Sequence, residues 1–331
     1  MTDTSATLGR LRVILRSHGG ENLKSRPGYY SKLLCLVSVI RAAQESGTSP
    51  QMIFWNDGPV PGERLELMRT AGEVVQVDVG SNRGSYRAAV AAAARGDGAP
   101  DDLVWFAEDD YLYRPDSFRL LAAAWNHLTD ADYLSMYGDL ALDPAGSRAH
   151  PRALPAPGAA QAPGSVTIEG VRWFRGLSTT STFGVRLGVL RADRRLLRAV
   201  PFSGGAWDHT TCLTVQGLRP FSWPEVAAEL LPFSSLPPGN WPASIARGVL
   251  RAGVNLRAMR APARRRRLYL SDPVLAAHLE VPLSGGEGRW KAVAAGTVDW
   301  ARRHGVPLDR PAEGGTGVAS RSVSGGPTRM T

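Results

Sequence analysis

Four short apolar runs alternate with segments of helical periodicity over the first third of the chain, and this alternation limits the fold more than any other feature. The runs are residues 11–16 (LRVILR), 51–55 (QMIFW), 73–79 (EVVQVDV) and 103–107 (LVWFA). Between them, 29–43 places Leu33, Leu34, Val37 and Ile40 at helical spacing, 63–70 reads as a helix, and 85–94 is an alanine-rich helix. Turn residues close the strands: His18-Gly19-Gly20, Asn56-Asp57-Gly58-Pro59 and Gly80-Ser81-Asn82. Strands that alternate with helices form a mostly parallel sheet covered on both faces. Residues 144–164 are rich in Pro, Ala and Gly without periodicity and read as a loop. Structure is expected to resume from 166 to about 233, and the Gly/Ser/Thr-rich stretch 311–331 is expected to be disordered.

Charge is distributed unevenly. Of the 331 residues, those up to Ala243 carry 24 basic and 24 acidic side chains, while 244–267 carry eight arginines and no acid. The formal net charge of +9 therefore comes almost entirely from one segment. Arginines interleaved there with Ile245, Val249, Leu250, Val254, Leu256 and Met259 predict a basic amphipathic helix ending near Pro262. Such a helix suits anionic membrane or an acidic partner, and it suits nucleic acid less, because no aromatic residues are interleaved. A solvated, arginine-biased helix is the plainer alternative. Two cysteines, Cys35 and Cys212, cannot form a disulfide framework and are expected as buried thiols. No run approaches the roughly 18 apolar residues of a membrane span. Residues 1–8 lack the basic-then-apolar pattern of a secretory leader. The expectation is a cytoplasmic protein, with peripheral contact at the inner membrane face through 244–267.

The fourth strand runs directly into Glu108-Asp109-Asp110. Ligands of open α/β sheets bind at that strand end. Adjacent carboxylates repel and resist desolvation unless a cation offsets them, and oxygen ligands suit Mg2+ or Mn2+ held together with substrate phosphates. The alternative is a solvated acidic turn in which Asp116 caps the next helix. No GxGxxG or GxxxxGK[ST] follows the first strand, which argues against a dinucleotide oxidoreductase and a P-loop NTPase.

Several pieces occur in order: the opening strand, Trp55-Asn56-Asp57, Asn82-Arg83-Gly84 before a helix, the acidic cluster, and Trp207-Asp208-His209. Together, over about residues 11–233, they resemble the nucleotide-sugar glycosyltransferases of the GT-A fold, family 2-like and inverting. The resemblance implies an α/β fold with a GT-A type, mostly parallel central sheet and flanking helices. The expected division is a transferase domain over 1–243, a basic helical C-terminal extension over 244–310, and the tail 311–331. It further implies that Asp110 binds the divalent metal, Mn2+ or Mg2+, and that Asp109 or Glu108 holds ribose hydroxyls of a UDP-, GDP- or TDP-linked donor. Glu108 departs from the usual aspartate at the first position of that motif. Ser17, His18, Asp57, Asn82 and Arg87 would line the donor pocket, with Asp57 receiving an imino N–H of the base and Arg87 or Arg83 the diphosphate. The run 177–186 resembles the acceptor side, with Thr182 and His209 as candidates, and Asp208 matches the base that deprotonates the acceptor hydroxyl. Each position also has an ordinary structural use: an Asx turn for Asp57, helix capping for Asp208, solvation for Arg87. The motifs assign no third metal ligand; His278 and His304 lie far off in sequence. The competing functions are a nucleotidyltransferase of related architecture and a non-catalytic protein that binds anionic membrane.

Overall fold

A computed structural model describes residues 9–21, 24–137, 165–231, 237–259, 265–284 and 286–308. The loop expected at 144–164 and the tail at 311–331 lie outside the described residues. The fold is mixed α/β, with a mostly parallel central sheet between two layers of helices.

The chain opens with strand β1 (Leu11–His18), helix α1 (Lys32–Gln44), β2 (Gln51–Asp57), α2 (Gly62–Ala71), β3 (Glu73–Val77), α3 (Asn82–Arg95) and β4 (Leu103–Glu108). These are the strands and helices that the periodicity predicts. Three-residue β5 (Tyr111–Tyr113) follows, then α4 (Ser117–His127), β6 (Tyr133–Ser135), β7 (Val166–Ile168), β8 (Val171–Arg175), β9 (Phe183–Arg186) and α5 (Leu187–Ala199). The chain continues with α6 (Trp207–Val215), α7 (Trp223–Leu230), α8 (Trp241–Ala258), β10 (Leu268–Asp272), β11 (Ala276–His278) and α9 (Glu287–Arg303).

The main sheet has nine strands in the order β3-β2-β1-β4-β9-β6-β10-β8-β7. Pairings β3–β2, β2–β1, β1–β4 and β6–β10 are parallel, whereas β9 and β8 run against their neighbours. Parallel register sets Ser17 beside Asn56, His18 beside Asp57, Asp57 beside Val77, and Arg16 beside Glu108. The ends of four strands therefore come together at one edge of the sheet. Fully buried Val13, Phe54, Trp105 and Ala107 join α1 and α4 in one core, and Ile14, Val104 and Phe106 join α3, α5 and α6 in the other. Alternate side chains of β1 and β4 thus face opposite layers, as strand geometry requires.

Two features depart from the sequence reading. The segment after 243 returns to the body: β10 sits within the main sheet between β6 and β8, β11 pairs with β5, and α9 packs on α1. Short strands such as 268–272 and 276–278 carry too little periodicity to be told from a tail. The basic helix exists as α8 and ends at Ala258, but its arginines face inward against acids of the body, and residues around Pro262 lie outside the described region. Both cysteines are buried and unpaired. Among the described residues no helix is long and apolar enough to cross a membrane.

Candidate active site

A cavity of about 740 Å³ opens at the strand-end edge, lined among others by Arg16, Asp57, Asn82, Glu108, Asp110, Asp208 and His278. Ser17, His18 and Asp109 border it too. Of the residues singled out in sequence, the fold brings eight to this one space, and all three residues of the acidic cluster border it.

The three carboxylates have separate partners. Glu108 receives Arg16 Nη2 at 2.5 Å, its register neighbour on β1, and Arg16 also donates to Asn82 Oδ1 at 2.9 Å and lies over the Tyr86 ring. Burial pushes the Glu108 carboxyl above its ordinary range, with Arg16 opposing. Asp109 turns to the other face of the strand. Its Oδ2 accepts from Ser17 Oγ at 3.2 Å and the His18 amide at 3.0 Å and lies 3.0 Å from Lys32 Nζ. Burial works against that charge, but His18 and Lys32 outweigh it and hold the group below the usual value. The Lys32 ammonium also donates to the carbonyls of His18 (3.0 Å) and Gly20 (2.6 Å), so one buried amine fastens the loop after β1 to Asp109. Asp110 Oδ2 receives Arg26 Nη2 at 2.9 Å and lies 2.9 Å from His278 Nε2. Burial opposes its charge as well, and His278 with Arg26 more than compensates, keeping it well below the carboxylate range.

The trio is therefore balanced by three fixed basic side chains, Arg16, Lys32 and Arg26. The premise that adjacent carboxylates require a bound cation does not hold for Glu108 and Asp109. Asp109 commits its Oδ2 to Ser17, His18 and Lys32, which fixes the carboxylate at the border of the cavity. Asp110 differs, because its second neighbour is an imidazole nitrogen. His278 sits on β11 opposite Tyr111 of β5, stacks on the Tyr111 ring at 5.0 Å, and has Nδ1 3.4 Å from Glu280 Oε2. A carboxylate behind a histidine is the arrangement that orients an imidazole toward a metal. Among the described residues no three His, Cys, Asp or Glu side chains gather as a metal set. The Asp110–His278 pair offers two donors, and Mg2+ or Mn2+ commonly takes one or two protein ligands with phosphates and water completing the shell.

Asp57 is anchored across strands: its Oδ1 accepts the amides of Val79 (2.7 Å) and Gly80 (3.3 Å). It is not an Asx turn closing on its own residues, and it ties the ends of β2 and β3 together at the cavity wall. Asn82 begins α3, where Ser81 caps the helix by accepting from the Gly84 amide at 3.1 Å. A Cβ on Gly84 would meet the side chains of Val79 and Ser81, so a larger residue here requires both to shift and disturbs the Ser81 cap. Gly80, Ser81, Asn82 and Ser85 border the cavity, which turns the amides of a helix start toward it. Arg87 does not reach the cavity. Its Nε donates to the Arg198 carbonyl at 2.8 Å and its guanidinium lies 4.5 Å from the Phe202 ring centre, one helical turn beyond the mouth.

Asp208 lies in the first turn of α6, after Ala206 at the N-cap position, and accepts the His209 amide at 2.8 Å. It is not a capping residue. Burial raises its carboxyl above the ordinary value, with the His209 amide pulling the other way. Trp207 beside it packs at a tilt of 54° against Tyr86, with ring centroids 4.4 Å apart. Of the acceptor-side candidates, Thr182 and His209 are not among the residues lining the cavity; Thr180 and Ser181 are, and Thr180 Oγ1 accepts from Tyr111 Oη at 2.6 Å. Asp116 stands at the N-cap of α4 without capping it, because Arg114 Nη2 takes its carboxylate at 2.6 Å. The sequence reading does not single out Arg16, Lys32 and Arg26, and it sets His278 aside for its distance along the chain. For Arg16 a signal existed, an arginine ending an otherwise apolar strand.

By sequence, no protein-family model and no curated protein matches the chain. Among solved structures, glucosyl-3-phosphoglycerate synthase from Mycobacterium tuberculosis with Mn2+, UDP and glucosyl-3-phosphoglycerate is similar at a TM-score of 0.39 and 12% identity, over 91% of this chain and 82% of that one. With the same enzyme bound to Mn2+, UDP and phosphoglyceric acid, the match has a TM-score of 0.28 and 15% identity, covers 38% of this chain, and spans 42% of that protein's length. A synthetase for CMP-linked 2-keto-3-deoxy-manno-octonic acid, complexed with CTP, is similar at 0.37 and 13% identity over 88% of this chain and 99% of that one. Likenesses this faint leave the chemistry to the side chains of the site.

Proposed function

We propose that the chain is a glycosyltransferase that moves a sugar from a nucleotide-sugar donor to an acceptor hydroxyl, with inversion at the anomeric carbon. One observation carries the reading: Asp57, the Asp110–His278 pair and Asp208 line a single cavity of about 740 Å³ at the strand-end edge. A space of that order suits a ligand of nucleotide-sugar size. In this reading Asp57 receives the imino N–H of the base. The helix start at 80–85 faces the diphosphate. Asp110 and His278 would hold a divalent cation, which when bound supplies positive charge to the leaving diphosphate.

Asp208 is the base. Its carboxylate takes the proton of the acceptor hydroxyl as that oxygen forms its bond to C1 of the sugar. The C1–O bond to the diphosphate breaks, and its electron pair leaves with the nucleoside diphosphate. A carboxyl raised by burial is a better proton acceptor than a solvated one. Arg16 and Lys32 act at one remove: Arg16 holds Glu108 and Asn82 in place, and Lys32 holds the loop that follows β1.

The test is nucleoside diphosphate release from a panel of UDP-, GDP- and TDP-sugars, with the anomeric configuration of the product read by NMR. Release from one donor that is lost in Asp208→Asn supports the reading. Pyrophosphate release from a nucleoside triphosphate and a sugar acid or phosphate would assign the nucleotidyltransferase alternative instead.

A further inference from the structure

Ahead of α1 the chain passes the exit of β11 and is fastened to it. The Ser25 carbonyl accepts the Val281 amide at 3.0 Å. Arg26 donates to the Leu279 carbonyl at 2.7 Å and to Asp110 at 2.9 Å, and its side chain is buried. Lys24 comes just before these pinned residues, so its backbone stays beside β11, but its side chain is 36% exposed. Its Nζ lies 2.8 Å from Glu280 Oε2 and 3.3 Å from His278 Nε2, and the residue lines the cavity.

The contact with His278 falls on the nitrogen that the transferase reading gives to a divalent ion. With its proton on Nδ1, which lies 3.4 Å from Glu280 Oε2, the imidazole presents a lone pair at Nε2. One lone pair serves an ammonium N–H or a metal ion, not both. An ion on Nε2 would also stand beside the Lys24 charge, and two cations that close repel. The tie that keeps Lys24 in place is weak by comparison. Glu280 is 41% exposed, and an ion pair open to water contributes little. The ammonium sits on a flexible four-carbon stem, so it can turn away while the backbone stays fixed. The cavity is where it can turn. Burial raises the Asp208 carboxyl, and the charge of Lys24 is among the influences that oppose this, so the ammonium acts on the same space as Asp208.

We propose that Lys24 is a built-in cation of the Asp110–His278 pair: it gives up Nε2 when a divalent ion takes that nitrogen, and it then pairs with the diphosphate of the donor. The second half rests on the transferase reading above, in which a diphosphate is the anion that enters together with the ion. A lysine ammonium is a suitable point charge for phosphate. Ion and donor therefore strengthen one another's binding through a single side chain, and by linkage the strengthening is reciprocal.

The test is Mn2+ binding to the full-length chain, read from the loss of the free-ion signal in electron paramagnetic resonance. The proteins are wild type, Lys24→Met and Lys24→Met/Glu280→Gln. Lys24→Met is expected to bind Mn2+ alone about tenfold more tightly than wild type. Unchanged, weaker or absent Mn2+ binding in Lys24→Met overturns the proposal. The double variant removes one charge of each sign and should keep the gain. A return to wild-type affinity there would trace the gain to the unmasked Glu280 carboxylate and overturn the proposal too. Both side chains are more than one-third exposed, so far-UV circular dichroism and Tm should match wild type in both variants. A second arm repeats the titrations with UDP, GDP or TDP present. The nucleotide that binds should strengthen Mn2+ binding by a larger factor in wild type than in Lys24→Met, because only wild type has an ammonium to hand over. Equal factors overturn the hand-over. If no nucleotide strengthens Mn2+ binding in either protein while Lys24→Met keeps its gain on Mn2+ alone, the built-in cation stands and the transferase reading falls.

Discussion

His278 Nε2 lies 2.9 Å from Asp110 Oδ2 across a sequence separation of 168 residues, on two short strands that pair only with each other. The β5–β11 ribbon is the device that makes this contact. It adds a late imidazole to an early carboxylate at the wall of the candidate cavity. If the pair holds a cation, His278→Ala should raise the Mn2+ concentration for half-maximal activity by about 10- to 100-fold while leaving the fold intact. Titration of activity with Mn2+ in both proteins checks this. An unchanged midpoint would give His278 a purely structural place on the Tyr111 ring.

Asp208 is expected to carry an activity–stability conflict. As the base it must be ionised, so activity should rise with pH through a midpoint above that of an ordinary aspartate. Burial favours its neutral form, so the stability this group contributes is complete below the unfolded-state value and is lost as pH rises through the raised one. Asp208→Asn should therefore lower kcat by about 10²- to 10⁴-fold and keep donor affinity. At neutral pH it should also raise Tm. A scanning calorimetry trace with a lower Tm would contradict the assignment.

Arg16 and Glu108 form a buried pair, with 6% and 23% of their side chains exposed. Removing one member leaves the other without compensation. Arg16→Met should cost about 3–5 kcal/mol, and Arg16→Met/Glu108→Gln should recover most of that. Urea unfolding of the four proteins closes the cycle. Additive losses would mean that the two groups do not depend on one another.

Asp57 serves two purposes in this account, and two substitutions separate them. Asp57→Asn keeps an oxygen for the Val79 and Gly80 amides and should leave Tm within about 1 °C, since small surface changes alter stability little. Its donor KM should rise about tenfold through loss of the base contact. Asp57→Ala also frees the two amides and should lower Tm. Steady-state kinetics with the preferred donor, beside thermal melts, distinguishes the outcomes.

Arg87 gives a negative control. Its guanidinium is spent on the Arg198 carbonyl and the Phe202 ring, so Arg87→Ala should leave donor KM unchanged. A several-fold increase would show that the side chain swings into the cavity during turnover.

The parallel half of the sheet was legible because each strand is an apolar run closed by turn residues, and because the strand ends in α/β folds share one edge. From that rule alone the acidic cluster could be assigned to the ligand edge, whereas Asp57 and Asn82 were assigned through the family resemblance. Asp208 needed the family resemblance. The partners of the carboxylates were not legible: Lys32 opens a helix and Arg26 lies in a loop, and neither position has a periodicity that points at Asp109 or Asp110. His278 closes a three-residue Ala-Ala-His strand whose pairing exists only in three dimensions. The orientation of α8 was read in reverse. Amphipathic spacing fixes that a helix has two faces, but which face turns inward depended on Glu229 and Asp193, acids from distant segments that no local pattern connects to it.

The central claim is that the cavity binds a nucleotide sugar, and isothermal titration of UDP-, GDP- and TDP-sugars into the protein with and without Mn2+ addresses it most directly. The account predicts saturable binding of one nucleotide class, strengthened by Mn2+ in wild type and indifferent to Mn2+ in Asp110→Asn. Absence of heat for every donor, with the protein folded and Mn2+ present, would contradict it.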